Sequence, residues 1–200
     1  MKKFLTACLL FLSAVSTAAA QTADAESFAK KIADDIMKEI VLSEQPVAKK
    51  QAAFRRIFTE NADVDRVARF TLGRYAKTAS AEDVALFREK FLDSVIKTWT
   101  ARFDNYSGEK IIFKDSRKND KKDVYVRSLI DIPASENDIE VVWRVSEKNG
   151  KQQLLDLVVE GVSMMMSYRN EYTAVLQKNG GDIKDLIGKL ETKIPDGKKQ

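Results

Sequence analysis

The chain has 200 residues, a formal net charge of +4, no histidine and one cysteine, Cys8. Without histidine it lacks the commonest general base and metal ligand, which excludes Ser-His and Cys-His catalytic arrangements and most zinc sites. Its basic residues are interleaved with acids, with no strong basic block except Lys198-Lys199 at the tail, so nucleic acid is a poor partner, although loose attraction to an anionic lipid surface stays open.

The chain opens with Lys2 and Lys3, a short apolar run from Phe4 to Val15, and the small residues Ala18-Ala19-Ala20. That pattern predicts a secretory signal over residues 1–20, cut after Ala20 and implying export. The run is shorter than the about 20 apolar residues that span a bilayer. Leu5-Thr6-Ala7-Cys8 imitates a lipoprotein cleavage box, but the apolar run continues through Leu9, Leu10, Phe11 and Leu12, so Cys8 reads as incidental. The mature chain would then hold no cysteine and no disulfide. Residues 21–194 suit one domain, and residues 195–200 read as a flexible tail.

Apolar residues Phe28, Ile32, Ile36 and Ile40 recur at helical spacing within a first predicted helix, Thr22 to Leu42. Pro46 fits the first turn of a second, running to about Glu60. Val64 to Gly73 reads as a third. Ser80 with Asp83 starts a fourth that runs to about Phe103. Four strands are predicted next, at Lys110 to Lys114, Asp123 to Asp131, Ile139 to Ser146 and Gln152 to Glu160. Asn149-Gly150 supplies a tight turn between the last two. Strands in succession with short links imply an antiparallel meander. After Gly161 a helix runs to Lys178; Asn179-Gly180-Gly181 ends it and Asp182 caps the last one.

Two helices are apolar over more of their circumference than a stripe of about 100° requires. In the helix from Ser80, Val84, Phe87, Phe91, Val95, Trp99 and Phe103, with Leu92 and Ile96, sweep roughly half the circle at about 100° per residue. Val162, Met164, Met165, Met166, Tyr168, Tyr172, Val175 and Leu176 do the same after Gly161. Leu154, Leu155, Leu157, Val158 and Val159 are apolar on both strand faces, interrupted by Asp156. A sheet apolar on both faces must be covered on both. Either helices pack on each side as ordinary core, or one side faces a cavity for an apolar ligand.

Four stretches, in order, carry a resemblance. They are Ala68-Arg69-Phe70-Thr71-Leu72-Gly73-Arg74-Tyr75, continuing to Thr78-Ala79-Ser80; Thr98 to Glu109, centred on Ala101-Arg102-Phe103 and Tyr106-Ser107-Gly108-Glu109; Val142-Trp143-Arg144; and Val158-Val159-Glu160-Gly161-Val162-Ser163-Met164 with Arg169, Glu171-Tyr172 and Asn179-Gly180-Gly181-Asp182. Each is short, but in this order and spacing the chain resembles the MlaC, or toluene-tolerance auxiliary, family of periplasmic phospholipid-binding proteins over nearly its whole length. Ala76 departs from the pattern, where an aromatic is expected after the Arg-Tyr pair.

The resemblance implies an α+β fold, with a twisted four-stranded antiparallel sheet wrapped by helices around an apolar lipid cavity. It implies a carrier that shuttles phospholipid between an outer-membrane lipoprotein–porin complex and an inner-membrane ABC-type transporter bearing a ring of lipid-binding domains, maintaining outer-membrane lipid asymmetry. Phospholipid is then cargo, no cofactor is needed, and the carrier acts as a monomer without catalysis. A sister branch is associated with hopanoid biosynthesis, so a hopanoid-type lipid is an alternative cargo. At about 0.8 kcal/mol per methylene, a lipid with roughly 30 methylenes faces a barrier on the order of 20 kcal/mol to cross water bare. Its cavity would lie at or above the top of the usual range of about 300–1,000 Å³.

Candidate tail contacts are Phe91, Val95, Trp99, Val126, Trp143, Val145, Val159, Met164 and Met166, each of which also reads as core. Tyr75, Tyr106 and Tyr168 are candidates for the cavity mouth, with a ring on lipid and a hydroxyl in water. Arg69, Arg74 and Arg169 are candidates for a headgroup phosphate, against the alternative of structural ion pairs, one of them with Glu160. Two other classes compete: an enzyme using Asp156 as a base, and a non-lipid periplasmic adaptor protein.

Overall fold

The computed structural model describes residues 13–103, 108–119, 123–133 and 137–192, with side chains from Gln21 onward. Tyr106 and the 195–200 tail lie outside the described residues. Helix α1 (Ser13–Ile36) passes through the Ala20–Gln21 junction and ends in a π turn, Met37–Val41. Helices α2 (Val47–Asn61), α3 (Val64–Leu72) and α4 (Ala81–Phe103) follow, with a 3-10 turn, Gly73–Lys77, between α3 and α4. The predicted helix starts at Pro46 and Ser80 are present, and Asp63 adds a cap that the sequence did not single out. Pro46 stands at the N-cap of α2 with φ −55°, Ser80 accepts the Asp83 N–H at 3.0 Å, and Asp63 accepts the Arg66 N–H at 3.1 Å at the start of α3.

The strands are β1 (Lys110–Lys118), β2 (Val124–Asp131), β3 (Ile139–Lys148), β4 (Lys151–Val159) and β5 (Val162–Ser163). They form one sheet in the order β1-β2-β3-β4-β5, antiparallel throughout. The meander is as predicted, with one strand more. Glu160 and Gly161, at φ 48° and 76°, make a second tight turn like that of Asn149 and Gly150 at 54° and 74°. Positive φ at both central residues matches the twist of a hairpin, so the chain folds back as β5 before α5 (Met164–Lys178) and α6 (Ile183–Thr192).

The core is double. One cluster joins α1, Ile40, α2 and the sheet, through Ala29, Ile32, Phe54, Ile57, Val126 and Trp143. The other joins α3, α4, α5 and α6, through Leu72, Phe87, Phe91, Tyr172, Leu176 and Leu186. Helix α4 serves both: Leu92 and Ile96 enter the first, Val84, Phe87, Phe91 and Val95 the second, and Trp99 touches each. Its wide apolar arc is thus divided between two cores. Strand β4 is apolar on both faces for a related reason, since α5 and α2 both pack against it. Among the described residues no helix is long and apolar enough to cross a membrane.

Candidate functional site

The strand registers place one apolar set on the inner face of the sheet. Cross-strand neighbours are Val124, Val145 and Leu154; then Val126, Trp143 and Leu157; then Phe113, Ser128, Val141 and Val159; then Ile111, Ile130 and Ile139. The opposite face of β1–β3 carries ion pairs, Arg127 with Asp115 and Glu140, and Arg144 with Asp123 at 2.6 Å. Alternation separates the two chemistries because successive side chains point to opposite sides.

Burial fades along the inner face. Val126 is 0% exposed and Val145 2%, beneath α1. Ile111, Phe113, Ile130, Ile139, Leu157 and Val159 are only half-buried where they pack on the same cluster. Trp143 sits where the two regimes meet. Its indole N–H donates to the Ser128 hydroxyl at 2.9 Å, which donates to the Val141 carbonyl at 3.1 Å. Every polar hydrogen of this buried pair is therefore used within the fold.

Helices α4 and α5 add an aromatic group, a lip, on the seam between the two clusters. Trp99 and Phe103, with ring centroids 6.2 Å apart, are half-buried against the first cluster, and Phe103 meets Phe54 edge-on at 5.7 Å. The Arg102 guanidinium lies 5.2 Å from the centre of the Trp99 ring. Tyr168 meets Phe91 edge-on at 5.6 Å. Burial raises its phenol above the ordinary value, while the Trp99 indole N–H and the Arg102 charge pull the other way.

The expected tail contacts divide between the cores. Val126, Trp143 and Val145 are buried in the first and Phe91 and Val95 in the second, with Trp99 on the seam. Val159 is half-buried on the inner face. Met164 is half-buried at the start of α5 and Met166 is 43% exposed. Of the described mouth candidates, Tyr168 joins the lip. Tyr75 packs on the second cluster, and Arg74 donates to its hydroxyl at 3.0 Å. Arg169 lies 4.7 Å from the Phe70 ring centre. Arg69 is exposed on α3, beside a 180 Å³ cavity that it lines with Asp65, Ala68 and Arg88. A 310 Å³ cavity at the closed end is lined by Gln21, Asp123, Ser146, Glu147 and Gln152 among others.

Asp156 serves the architecture. Its carboxylate accepts the Ser163 hydroxyl and, at 3.0 Å, the Met165 N–H, while Ser163 caps the helix by accepting the Met166 N–H at 3.1 Å. Glu160 accepts the Glu140 N–H across the turn rather than meeting one of the named arginines. Sequence reasoning did not single out Arg102, Phe103, Ile111, Ile130, Ile139 or Leu157 as site residues. The strand members were within reach by alternation, but identifying the open rim needs the register.

Against this geometry the comparisons agree. The family profile described as MlaC protein matches residues 26–192. The chain is 22% identical to the "Intermembrane phospholipid transport system binding protein MlaC" of Haemophilus influenzae, over 96% of this chain and 92% of that protein. Its fold is similar to that of a solved phospholipid-binding protein from Ralstonia solanacearum in complex with a phospholipid: TM-score 0.74, 22% identity, 84% of this chain and 94% of that one. The α+β architecture and the extent of the profile match establish that the chain belongs to the MlaC family.

Proposed function

We propose that the chain is a periplasmic phospholipid carrier, exported by its signal peptide, that moves lipid between the outer and inner membranes and so maintains outer-membrane lipid asymmetry. The observation that carries this is the half-buried apolar rim of the sheet, Ile111, Phe113, Ile130, Ile139, Leu157 and Val159, continuous with a buried core and lipped by Trp99 and Phe103. Apolar surface left partly accessible at one end of a face favours a ligand with apolar tails. The named relatives, an intermembrane phospholipid transport binding protein and a phospholipid complex, point to the same ligand class.

On this reading acyl chains enter at the rim and exchange side-chain contacts for lipid contacts of similar dispersion energy. Phe91, Val95, Val126, Trp143 and Val145 then serve as the second layer that the tails reach as the rim opens, with Met164 and Met166 contributing from the start of α5. The carrier docks alternately on an outer-membrane lipoprotein–porin complex and an inner-membrane ABC-type transporter. It needs no cofactor and performs no chemistry on the lipid.

Native mass spectrometry of the protein from a periplasmic extract, followed by lipid extraction, tests the reading. A phospholipid at defined stoichiometry is the expected result. An apo mass that persists after incubation with phospholipid vesicles overturns it in favour of a protein-binding adaptor.

A further inference from the structure

Two asparagine–glycine pairs occur in the chain, Asn149-Gly150 and Asn179-Gly180. Asparagine before glycine is prone to an uncatalysed reaction in which the glycine nitrogen attacks the asparagine side-chain carbonyl carbon. Glycine, with no Cβ, hinders that approach least. The first pair turns β3 into β4 and the second follows α5. In one dimension they are equivalent, but the structure treats them differently.

Asn179 is tied down at both atoms of its amide. Its Nδ2 donates to the Asp182 carbonyl at 2.9 Å and to the Asp185 carboxylate at 2.7 Å. Its Oδ1 accepts the N–H groups of Gly181 at 3.1 Å and Asp182 at 3.0 Å. The residue is half-buried. Turning its carbonyl carbon toward the Gly180 nitrogen breaks this set of bonds.

Asn149 is the opposite case. It is exposed at the tip of the hairpin, and its amide has no hydrogen-bond partner among the described residues. Lys148 and Lys151 are the last paired residues of the ladder, so the Gly150 N–H lies outside it. No atom stands within 4 Å of where a Cβ on Gly150 would be, which leaves the Asn149 amide room to swing over the Gly150 nitrogen. The Asn149 φ of 54° is uncommon for a residue with a side chain, and an exposed hairpin tip opens locally at small cost.

We propose that Asn149 is a site of spontaneous deamidation in this protein and that Asn179 is protected from the same reaction by its hydrogen bonds. The Gly150 nitrogen bonds to the Asn149 side-chain carbonyl carbon. The bond from that carbon to the amide nitrogen breaks, and the nitrogen leaves as ammonia with the Gly150 proton. The cyclic imide takes up one water and opens at either carbonyl, to aspartate or to isoaspartate, and no oxidant or cofactor enters. Either product places a negative charge next to Lys148. Isoaspartate also adds a carbon to the main chain of a tight turn. The group that feels both changes is the Lys148 ammonium, which holds the hairpin to Asp63 at 3.1 Å. This modification is independent of what the protein carries.

The test incubates the folded chain in mildly alkaline buffer and follows both asparagine peptides by mass spectrometry. Asn149 converts about thirtyfold faster than Asn179, the factor set by two ordinary hydrogen bonds that Asn179 must give up. In urea-unfolded protein the two rates converge, because both asparagines precede glycine. Asp185→Ala removes the charged partner and speeds Asn179 about tenfold in the folded protein, leaving Asn149 unchanged. Asn149→Gly, which suits a turn with positive φ at both positions, abolishes the mass change in the hairpin. Equal rates in the folded protein overturn the proposal, as does an Asn149 that converts in urea but stays intact in the folded chain. An Asn179 rate untouched by Asp185→Ala overturns the protective role of its hydrogen bonds. Should Asp185→Ala fail to fold, the comparison of folded with unfolded wild type decides by itself.

Discussion

The two ends of the sheet's inner face are built from the same kinds of residue and do opposite things. At the closed end Val124, Val145 and Leu154 are buried, beside the 310 Å³ cavity that Val124 and Val145 line with Gln21 and Ala25 of α1. Lys148 ties the β3–β4 hairpin to Asp63, the α3 cap, at 3.1 Å. At the open end Ile111, Ile130 and Ile139 have the same apolar bulk without the same cover. Hydrophobicity alone therefore does not distinguish a core from a binding face; what differs is how deeply each row is buried. One end spends its apolar area on folding, and the other holds part of it in reserve.

Substitutions sharpen that contrast. The largest effect belongs to Trp143→Ala, which empties buried volume and strips Ser128 of its donor; it should cost about 3–5 kcal/mol in urea unfolding. A loss below about 1 kcal/mol would mean that the closed side repacks and the division is false. Asp63→Ala should follow, at about 1–2 kcal/mol, because it removes a helix cap and the strap to Lys148 in one step. Burial opposes the Asp63 charge, but the Arg66 N–H and the Lys148 ammonium outweigh it and hold the carboxyl below its ordinary value. The folded protein thus keeps this group ionised at lower pH than the unfolded chain does. Its contribution is complete above the unfolded value of about 3.9 and disappears as pH falls through the lower folded value. Asp63→Asn should flatten that acid limb of the stability curve.

At the open end the balance reverses. Ile139→Ala should cost only about 1 kcal/mol of stability, half-burial returning part of the transfer energy, yet lower lipid loading measured by native mass spectrometry. A large stability loss with unchanged loading would make the rim ordinary core. The smallest effect is expected at Met166, where replacement by Ser should shift stability by no more than about 0.5 kcal/mol. A larger shift in thermal unfolding would show that this exposed side chain is packed in solution.

Much of this plan was readable beforehand, and the gaps have physical causes. Alternation marked β2 and β3 because one face is buried and the other charged, as with Trp143 and Arg144, and the Asn149-Gly150 turn set off β4. Strand β5 escaped because two residues carry no period; only Gly161 hinted at the reversal, and Glu160 adopting positive φ beside it completes the turn. The breadth of the α4 apolar arc was visible, but its division between two cores depends on which helices lie on each side. Asp156 looked like a charge stranded among apolar neighbours. Its purpose, holding the first turn of α5, requires Ser163 and Met165 to be brought back by a turn that sequence spacing does not reveal.

The placement of the two tryptophans has an optical consequence. Indole emission shifts to the red when mobile water can reorient around the excited ring, and stays blue in rigid, dry surroundings. Trp143, 5% exposed and bonded to Ser128, is built to be a constant. Trp99, half-buried at the seam beneath a guanidinium, would on the carrier reading respond to lipid bound nearby. A Trp143→Phe protein would leave Trp99 as a single intrinsic fluorophore, so that arrival and departure of cargo could be timed in a stopped-flow cuvette with no dye attached.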